Sequence, residues 1–386
     1  MRALIAFDKF KHALSAPAAC SVAAGALHAA HPDWEIDVCP LTDGGEGFAG
    51  ILTHSAGGTM QPLLVAGPRG GTVEALFGLA PLSRIPTAAR RRLELPADLS
   101  AESRIAIIEM AAASGLALLD PTQRDPWQTT THGTGELLRT AADAGAAALL
   151  LGVGGSATND LGLGALAALG LRFLSAGARV VSPPIPLRWP EIARIDGRVP
   201  AAFPPLRIAC DVTNPLLGPR GCAAVYGPQK GLRDSDRPNI EHASARLAMM
   251  LCGHCGRPDS LMDQPGAGAA GGIAFGLMAA ADARLLAGFD LVSAWLDLDA
   301  RIAAVDLVIT GEGRFDTTSF AGKGPGAIAA RATAAGKPVH LFAGAIAAPQ
   351  DAVGIAMHAI TPLDQPLDAA LAAAGANLAA AVAHAF

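Results

Sequence analysis

A chain of 386 residues with 51% hydrophobic and only 16% charged residues is long enough for two cores. Its formal charge of −5, without a basic stripe, gives no reason to expect nucleic acid or an acidic membrane surface as partner. The longest uncharged stretches, 266–281 and 369–386, are Ala/Gly-rich and too weakly apolar for a membrane span, and no signal peptide precedes the first strand-like segment, so a soluble cytoplasmic protein is expected.

Aromatic residues make up 4%, so the cores must be built from Leu, Ile, Val and Ala, and 44 glycines require many tight loops. Six cysteines, at 20, 39, 210, 222, 252 and 255, read as buried thiols in a reducing compartment.

Residues 2–7 are a short apolar run that delivers Asp8 at its end, followed by Lys9, Phe10, Lys11 and His12 in a loop. Ser15 is an N-cap and Pro17 is tolerated in the first turn of a helix that runs to about residue 30. A second strand, 34–39, leads into Thr42-Asp43-Gly44-Gly45-Glu46-Gly47. Two strands separated by a helix and both ending in an acidic loop form a parallel βαβ unit, with ligand chemistry expected at their carboxyl ends. A helix to about residue 55 follows, then two β-prone runs, 62–66 and 72–79, that read as a ribbon. Residues 86–100 are a charged, proline-punctuated surface excursion, 104–109 a strand, and 110–119 fits either helix or loop.

Thr129 to Glu136 precedes a helix over 137–144. The buried strand 147–151 flows into a glycine loop from Gly152 to Asp160 that carries Ser156 and Asn159, and a helix over 162–171 follows. Prolines between 179 and 207 mark an irregular segment, after which the strand 206–210 ends in Asp211. A polar helix over 240–252 comes next. The run from Pro265 to Gly272 is either a close backbone approach to a ligand or a hinge. Residues 282–296 are expected to be helical with a glycine interruption. The strand 305–309 ends in a loop holding Glu312, Arg314 and Asp316, with Lys323 beyond, and α/β rhythm then continues to the end. The first fifty and last hundred residues are therefore expected in one discontinuous α/β domain, with the middle forming a second.

Carboxylates on glycine loops beside scattered cations suit phosphoryl transfer, which needs Mg²⁺ held partly by carboxylates and fixed positive charge on the moving oxygens. Asp211, with Asn214 nearby and Lys230 further on, fits a group that orients or deprotonates a hydroxyl; Asn214 fits an Asx-turn equally. The Gly152 loop resembles a phosphate nest but lacks the lysine of a P-loop, and the residues after Asp8 are not a dinucleotide fingerprint. Of the first-loop lysines, one or both fit a clamp on a carboxylate or phosphate, and Lys9 fits an ordinary surface residue better than Lys11 does. Cys252-Gly253-His254-Cys255 has no second pair at structural-zinc spacing.

Taken together and in order, the stretches 8–16, 42–47, 108–115, 129–138, 152–162, 209–230, 265–272 and 310–323 resemble the bacterial type 1 glycerate kinase family along nearly the whole chain. The resemblance implies ATP- and Mg²⁺-dependent phosphorylation of D-glycerate, with 2-phosphoglycerate favoured over 3-phosphoglycerate as product. It implies an α/β fold of two domains, one flavodoxin-like with a parallel sheet built from 1–58 and 290–386, the other inserted over 59–289, with the active site in the cleft between them. The expected catalytic residues are Asp211, Asp43 and Lys11. Asp8, Gly44, Gly45, Glu46, Ser156, Asn159, Asp160, Asn214, Lys230, Arg314 and Lys323 are expected to bind substrate or phosphate, and Asp43, Glu312 and Asp316 to hold Mg²⁺.

The partners implied are small molecules, without nucleic acid or membrane, and the assembly is a monomer or homodimer. The chain departs from the family where Lys9 replaces a usual serine and Thr42 a usual alanine. Two rival readings are a kinase for another small hydroxy acid and a small-anion or nucleotide-binding module.

Overall fold

The computed structural model describes residues 1–317, 319, 324–347 and 354–386. Among these the strands run in chain order β1 (Arg2–Phe7), β2 (Glu35–Val38), β3 (Thr59–Ala66), β4 (Thr72–Pro81), β5 (Arg104–Glu109), β6 (Ala148–Gly152) and β7 (Leu171–Leu174). They continue as β8 (Arg194–Gly197), β9 (Leu206–Ala209), β10 (Arg284–Leu286), β11 (Leu307–Phe315), β12 (Val339–Ile346) and β13 (Ile355–Ala359). The chain divides into two compact units, 1–43 with 292–386, and 44–291. Among the described residues no helix is long and apolar enough to cross a membrane.

The first unit holds a five-stranded sheet in the order β13-β12-β11-β1-β2, parallel throughout. Counted within the unit this is the flavodoxin-like order 2-1-3-4-5, which reverses direction between β1 and β11. β1 and the start of β11, residues 307–309, are apolar runs without alternation, as a sheet covered on both faces requires; Ala3 to Phe7 are all fully buried. The helices Ala16–Ala30 and Ala374–Ala385 supply Leu27, Leu378 and Val382 to a core with Ile5, Phe7, Ile309 and Phe342. Ser15 caps the first of these helices, its Oγ accepting from Ala18 N–H at 3.3 Å, a contact worth about 1 kcal/mol.

The second unit is built on a six-stranded mixed sheet, β10-β9-β6-β5-β4-β3. Pairing is parallel from β10 to β5 and antiparallel from β5 through β4 to β3, so the expected ribbon forms one edge of a larger sheet. Its core gathers Ile108, Leu151 and Ile208 from the sheet with Leu137, Leu166, Leu247 and Ile273 from the covering helices. The sequence reading draws the domain boundaries at 58 and 290. The helix Phe48–Ser55 instead packs on β3, β4 and β5, burying Phe48 and Leu52 fully, and so belongs to the second unit.

Four local expectations are corrected. Residues 282–296 are not one interrupted helix, because residues 284–286 pair with β9 as β10 before the helix Gly288–Trp295 begins. β11 does not stop at residue 309: pairing with β12 continues through Arg314↔Ala345 and Phe315↔Ile346, so Glu312 and Arg314 stand on a strand and not in a loop. Residues 179–207 are not wholly irregular, since β8 pairs antiparallel with β7. The helix Arg237–Cys255 also extends past the expected end and carries His254 and Cys255.

Candidate active site

In the first unit the polar residues collect where β1 and β11 end, at the point where the strand order reverses and open α/β sheets bind ligands. Phe7 pairs with Gly311, so Asp8 and Glu312, next in each strand, emerge side by side. Gly311 fits only without a side chain: a Cβ there would meet Phe342 O at 1.8 Å. Asp8 is buried and accepts the N–H of Lys9 at 2.7 Å. Burial raises its carboxyl to about 6 against the opposing pull of Lys9.

Burial likewise raises Glu312 to about 7, with Asp8, Asp316 and Asp43 adding to it and a hydrogen bond from Ser319 opposing. Arg314 lies 3.6 Å from Asp316 Oδ2 with its side chain largely in solvent. The ammonium of Lys9 lies 3.3 Å from Asp43 Oδ1 and 3.7 Å from Asp8 Oδ1.

Asp8 and Glu312, whose proton affinities burial raises, lie among carboxylates whose mutual repulsion a divalent cation would relieve. Among the described residues no three His, Cys, Asp or Glu groups are placed to share one ion, so Asp43, Glu312 and Asp316 do not form a closed cage. The donor set fits Mg²⁺, which binds through one or two carboxylates and completes its octahedron with water and phosphate oxygens.

In the second unit the loop at the carboxyl end of β6 packs against Gly44 and Gly45. Gly154 N–H donates to Gly44 O at 3.0 Å, and a Cβ on Gly154 would meet Gly45 Cα at 2.6 Å, so these glycines are needed for close backbone approach. Ser156 is buried and bridges Gly115 through its backbone. Asp211 takes the Phe289 N–H on both oxygens, at 3.2 and 3.0 Å, and thereby holds the start of the helix Gly288–Trp295.

Lys230 is 1% exposed, its Nζ donates to Thr158 O at 2.6 Å, and burial lowers its ammonium to about 8. Beside it Asn159 is fully buried with neither amide atom hydrogen-bonded, and the Thr158 hydroxyl is unsatisfied as well. The run from Ala270 to Gly272, with φ of 53°, 73° and 87°, approaches this loop so closely that a Cβ on Gly271 would meet Thr158 O at 2.0 Å. That decides the open question about residues 265–272: the glycines serve close approach of backbone to backbone.

Not every expected residue faces outward. Asp160 is fully buried and accepts four hydrogen bonds, from Thr131 N–H (2.8 Å), Thr131 Oγ1–H (2.9 Å), Gly162 N–H (3.1 Å) and Gly164 N–H (3.2 Å). Burial raises its carboxyl while those donors pull it down. Its acceptor capacity is used inside the protein, where it ties the starts of the helices His132–Asp143 and Leu163–Ala168 together.

Asn214 spends both ends of its amide internally, donating to Arg220 O at 2.8 Å and accepting from the Tyr226 hydroxyl at 2.7 Å. Glu46 is exposed, as is Lys11, whereas Lys9 joins the acidic set. Lys9 is the lysine that fits an ordinary surface role better in sequence, where its signal is adjacency to Asp8. Lys323 lies outside the described residues. Cys252 and Cys255 are free thiols on a helix, and His254 Nε2 contacts Gly197 O at 2.8 Å.

The comparison with known proteins agrees with this picture. A model of the glycerate kinase family matches residues 3–386. A glycerate kinase from Bacillus subtilis (strain 168) is 38% identical over 95% of this chain and 92% of its own length. A glycerate 2-kinase from Escherichia coli (strain K12) is 35% identical over 92% of this chain and 87% of its own. A crystal structure of a candidate glycerate kinase 2 from Salmonella typhimurium LT2 covers 100% of this chain and 97% of its own, with a TM-score of 0.76 and 36% identity.

Proposed function

The chain belongs to the glycerate kinase family and is a kinase enzyme, and from that premise we propose that it transfers the terminal phosphoryl group of ATP to the 2-hydroxyl of D-glycerate. The observation that carries the reading is the acidic set of Asp8, Asp43 and Glu312, with Lys9, at the reversal point of a flavodoxin-ordered sheet. The choice of the 2-hydroxyl is supported by the Escherichia coli relative, whose name specifies a glycerate 2-kinase.

Phosphoryl transfer asks little covalent chemistry of the protein; positioning and charge neutralisation do most of it. Mg²⁺, when bound, supplies positive charge at the phosphate oxygens and a template that orients them. Asp43 and Glu312 would hold the cation, with Asp316 beside them. Arg314 adds fixed positive charge from a strand edge.

Asp211 orients the acceptor hydroxyl and takes its proton. The Phe289 N–H holds the carboxylate in place. Lys230, by gripping Thr158 O, fixes the loop that carries Ser156 and Asn159.

Phosphorus NMR of the product from ATP, Mg²⁺ and D-glycerate tests the reading and separates 2- from 3-phosphoglycerate. Glycolate, lactate and tartronate as alternative acceptors test the acid. D211N keeps an acceptor for Phe289 N–H while removing the charge, and should lose about 100-fold or more in kcat. Near-normal turnover by D211N at saturating ATP would remove Asp211 from the chemistry.

A further inference from the structure

Lys9 stands between two carboxylates, with a role that the proposed chemistry does not use. Its N–H donates to Asp8 Oδ1 at 2.7 Å, which fixes the root of the side chain, and its ammonium reaches Asp43 Oδ1 at 3.3 Å and Asp8 Oδ1 at 3.7 Å. The side chain of Lys9 is 21% exposed and that of Asp43 46%, so water screens their contact in part. The ammonium thus occupies the ground next to Asp43 where a divalent cation would be held, and two cations repel each other at that range.

We propose that Lys9 is a tethered counter-ion that holds Asp8 and Asp43 together in the metal-free protein and must be displaced before a divalent cation binds there. Lysine suits this task because its ammonium is a point charge on a flexible four-carbon stem, free to swing aside, where an arginine fork would stay locked to a carboxylate. The device lets the acidic pair persist without metal and lowers the affinity of the nucleotide-free protein for the ion. This inference rests on the reading of Asp43 as a cation ligand.

The test uses Mn²⁺ as probe, titrated into the full chain without nucleotide and followed by electron paramagnetic resonance. Lys9→Ser and Lys9→Gln should bind Mn²⁺ about two- to fivefold more tightly than the unaltered protein, the range that a partly exposed charge pair contributes. Lys9→Arg should retain the weak binding or weaken it further. In EDTA both neutral variants should melt lower than the unaltered protein, and Mn²⁺ should raise their melting temperature more.

Equal or weaker Mn²⁺ binding by folded Lys9→Ser and Lys9→Gln overturns the proposal. If Asp43→Asn abolishes binding in that same case, the assignment of Asp43 as a ligand stands while the counter-ion role falls. Absence of Mn²⁺ binding in every variant overturns both.

Discussion

Removing the Asp160 carboxylate separates a structural role from a ligand-binding one. Asp160→Ala leaves three backbone N–H groups and one hydroxyl buried without their acceptor. Hydrogen bonds to a charged group contribute about 1.5–3 kcal/mol each. Four do not simply add, because keeping a carboxylate buried itself costs several kcal/mol and water can enter the vacated space. The net expected loss is about 3–5 kcal/mol, a large share of a typical domain's stability.

Asp160→Asn keeps the shape and one acceptor oxygen but turns an NH₂ toward either Gly162 N–H or the three donors opposite. It should cost about 1–3 kcal/mol. Guanidinium unfolding followed by circular dichroism, with slopes compared so that separate transitions of the two units are recognised, gives both numbers. The KM of Asp160→Asn for D-glycerate should stay within about threefold of the parent. A loss below about 1 kcal/mol for Asp160→Ala would refute the packing argument. Full stability of Asp160→Asn with a KM raised about 100-fold would show that the carboxylate serves the ligand instead.

The Glu312 carboxyl, raised from 4.5 to about 7 in the folded protein, binds a proton more readily folded than unfolded, so its contribution to stability is present below pH 4.5 and is lost as pH rises through 7. In EDTA at pH 7.5, Glu312→Gln should therefore be more stable than the parent by about 1–3 kcal/mol, with the gap closing toward pH 4.5. Equal melting curves across that window would dismiss the burial of the Glu312 carboxyl as the source of its raised proton affinity.

His340 and His358 stand with Nδ1 and Nε2 3.1 Å apart, and burial lowers both from 6.5, His358 depressing His340 further and His384 depressing His358. Their contribution is present above pH 6.5 and is lost as pH falls below it. His340→Phe should flatten the decline in melting temperature between about pH 7 and 5.5, and an unchanged slope would contradict the pairing. Gly271→Ala, whose Cβ would meet Thr158 O at 2.0 Å, should destabilise by about 3 kcal/mol or more and impair turnover. Gly145→Ala, at φ 79° with open space around it, should cost only about 1 kcal/mol; equal losses in the two melts would show that close approach is not what Gly271 provides.

Local chemistry was enough to foresee the Ser15 cap, the first βαβ unit, and the acidic residues waiting at strand ends, because each depends on neighbours a few residues away. The run of motifs along the chain was also enough to place it among glycerate kinases. What sequence could not settle was which polar groups are consumed by the fold itself. Asp160 and Asn214 look like ligand residues in one dimension, yet their partners, Thr131 and Tyr226, come from other segments and satisfy them inside.

Glu312 changed from a loop to a strand residue because the backbone of β12 runs long enough to pair beside it, a fact with no trace in residues 307–315 alone. The choice of Lys9 over Lys11 was likewise made by the turn that pairs Phe10 with Leu14 and by the arrival of Asp43 beside the first loop. Composition and spacing pointed to the class of fold, and the resemblance of the ordered motifs to the family. Hydrogen-bond satisfaction across long stretches of chain, which only tertiary structure fixes, decided which charges remain available for chemistry.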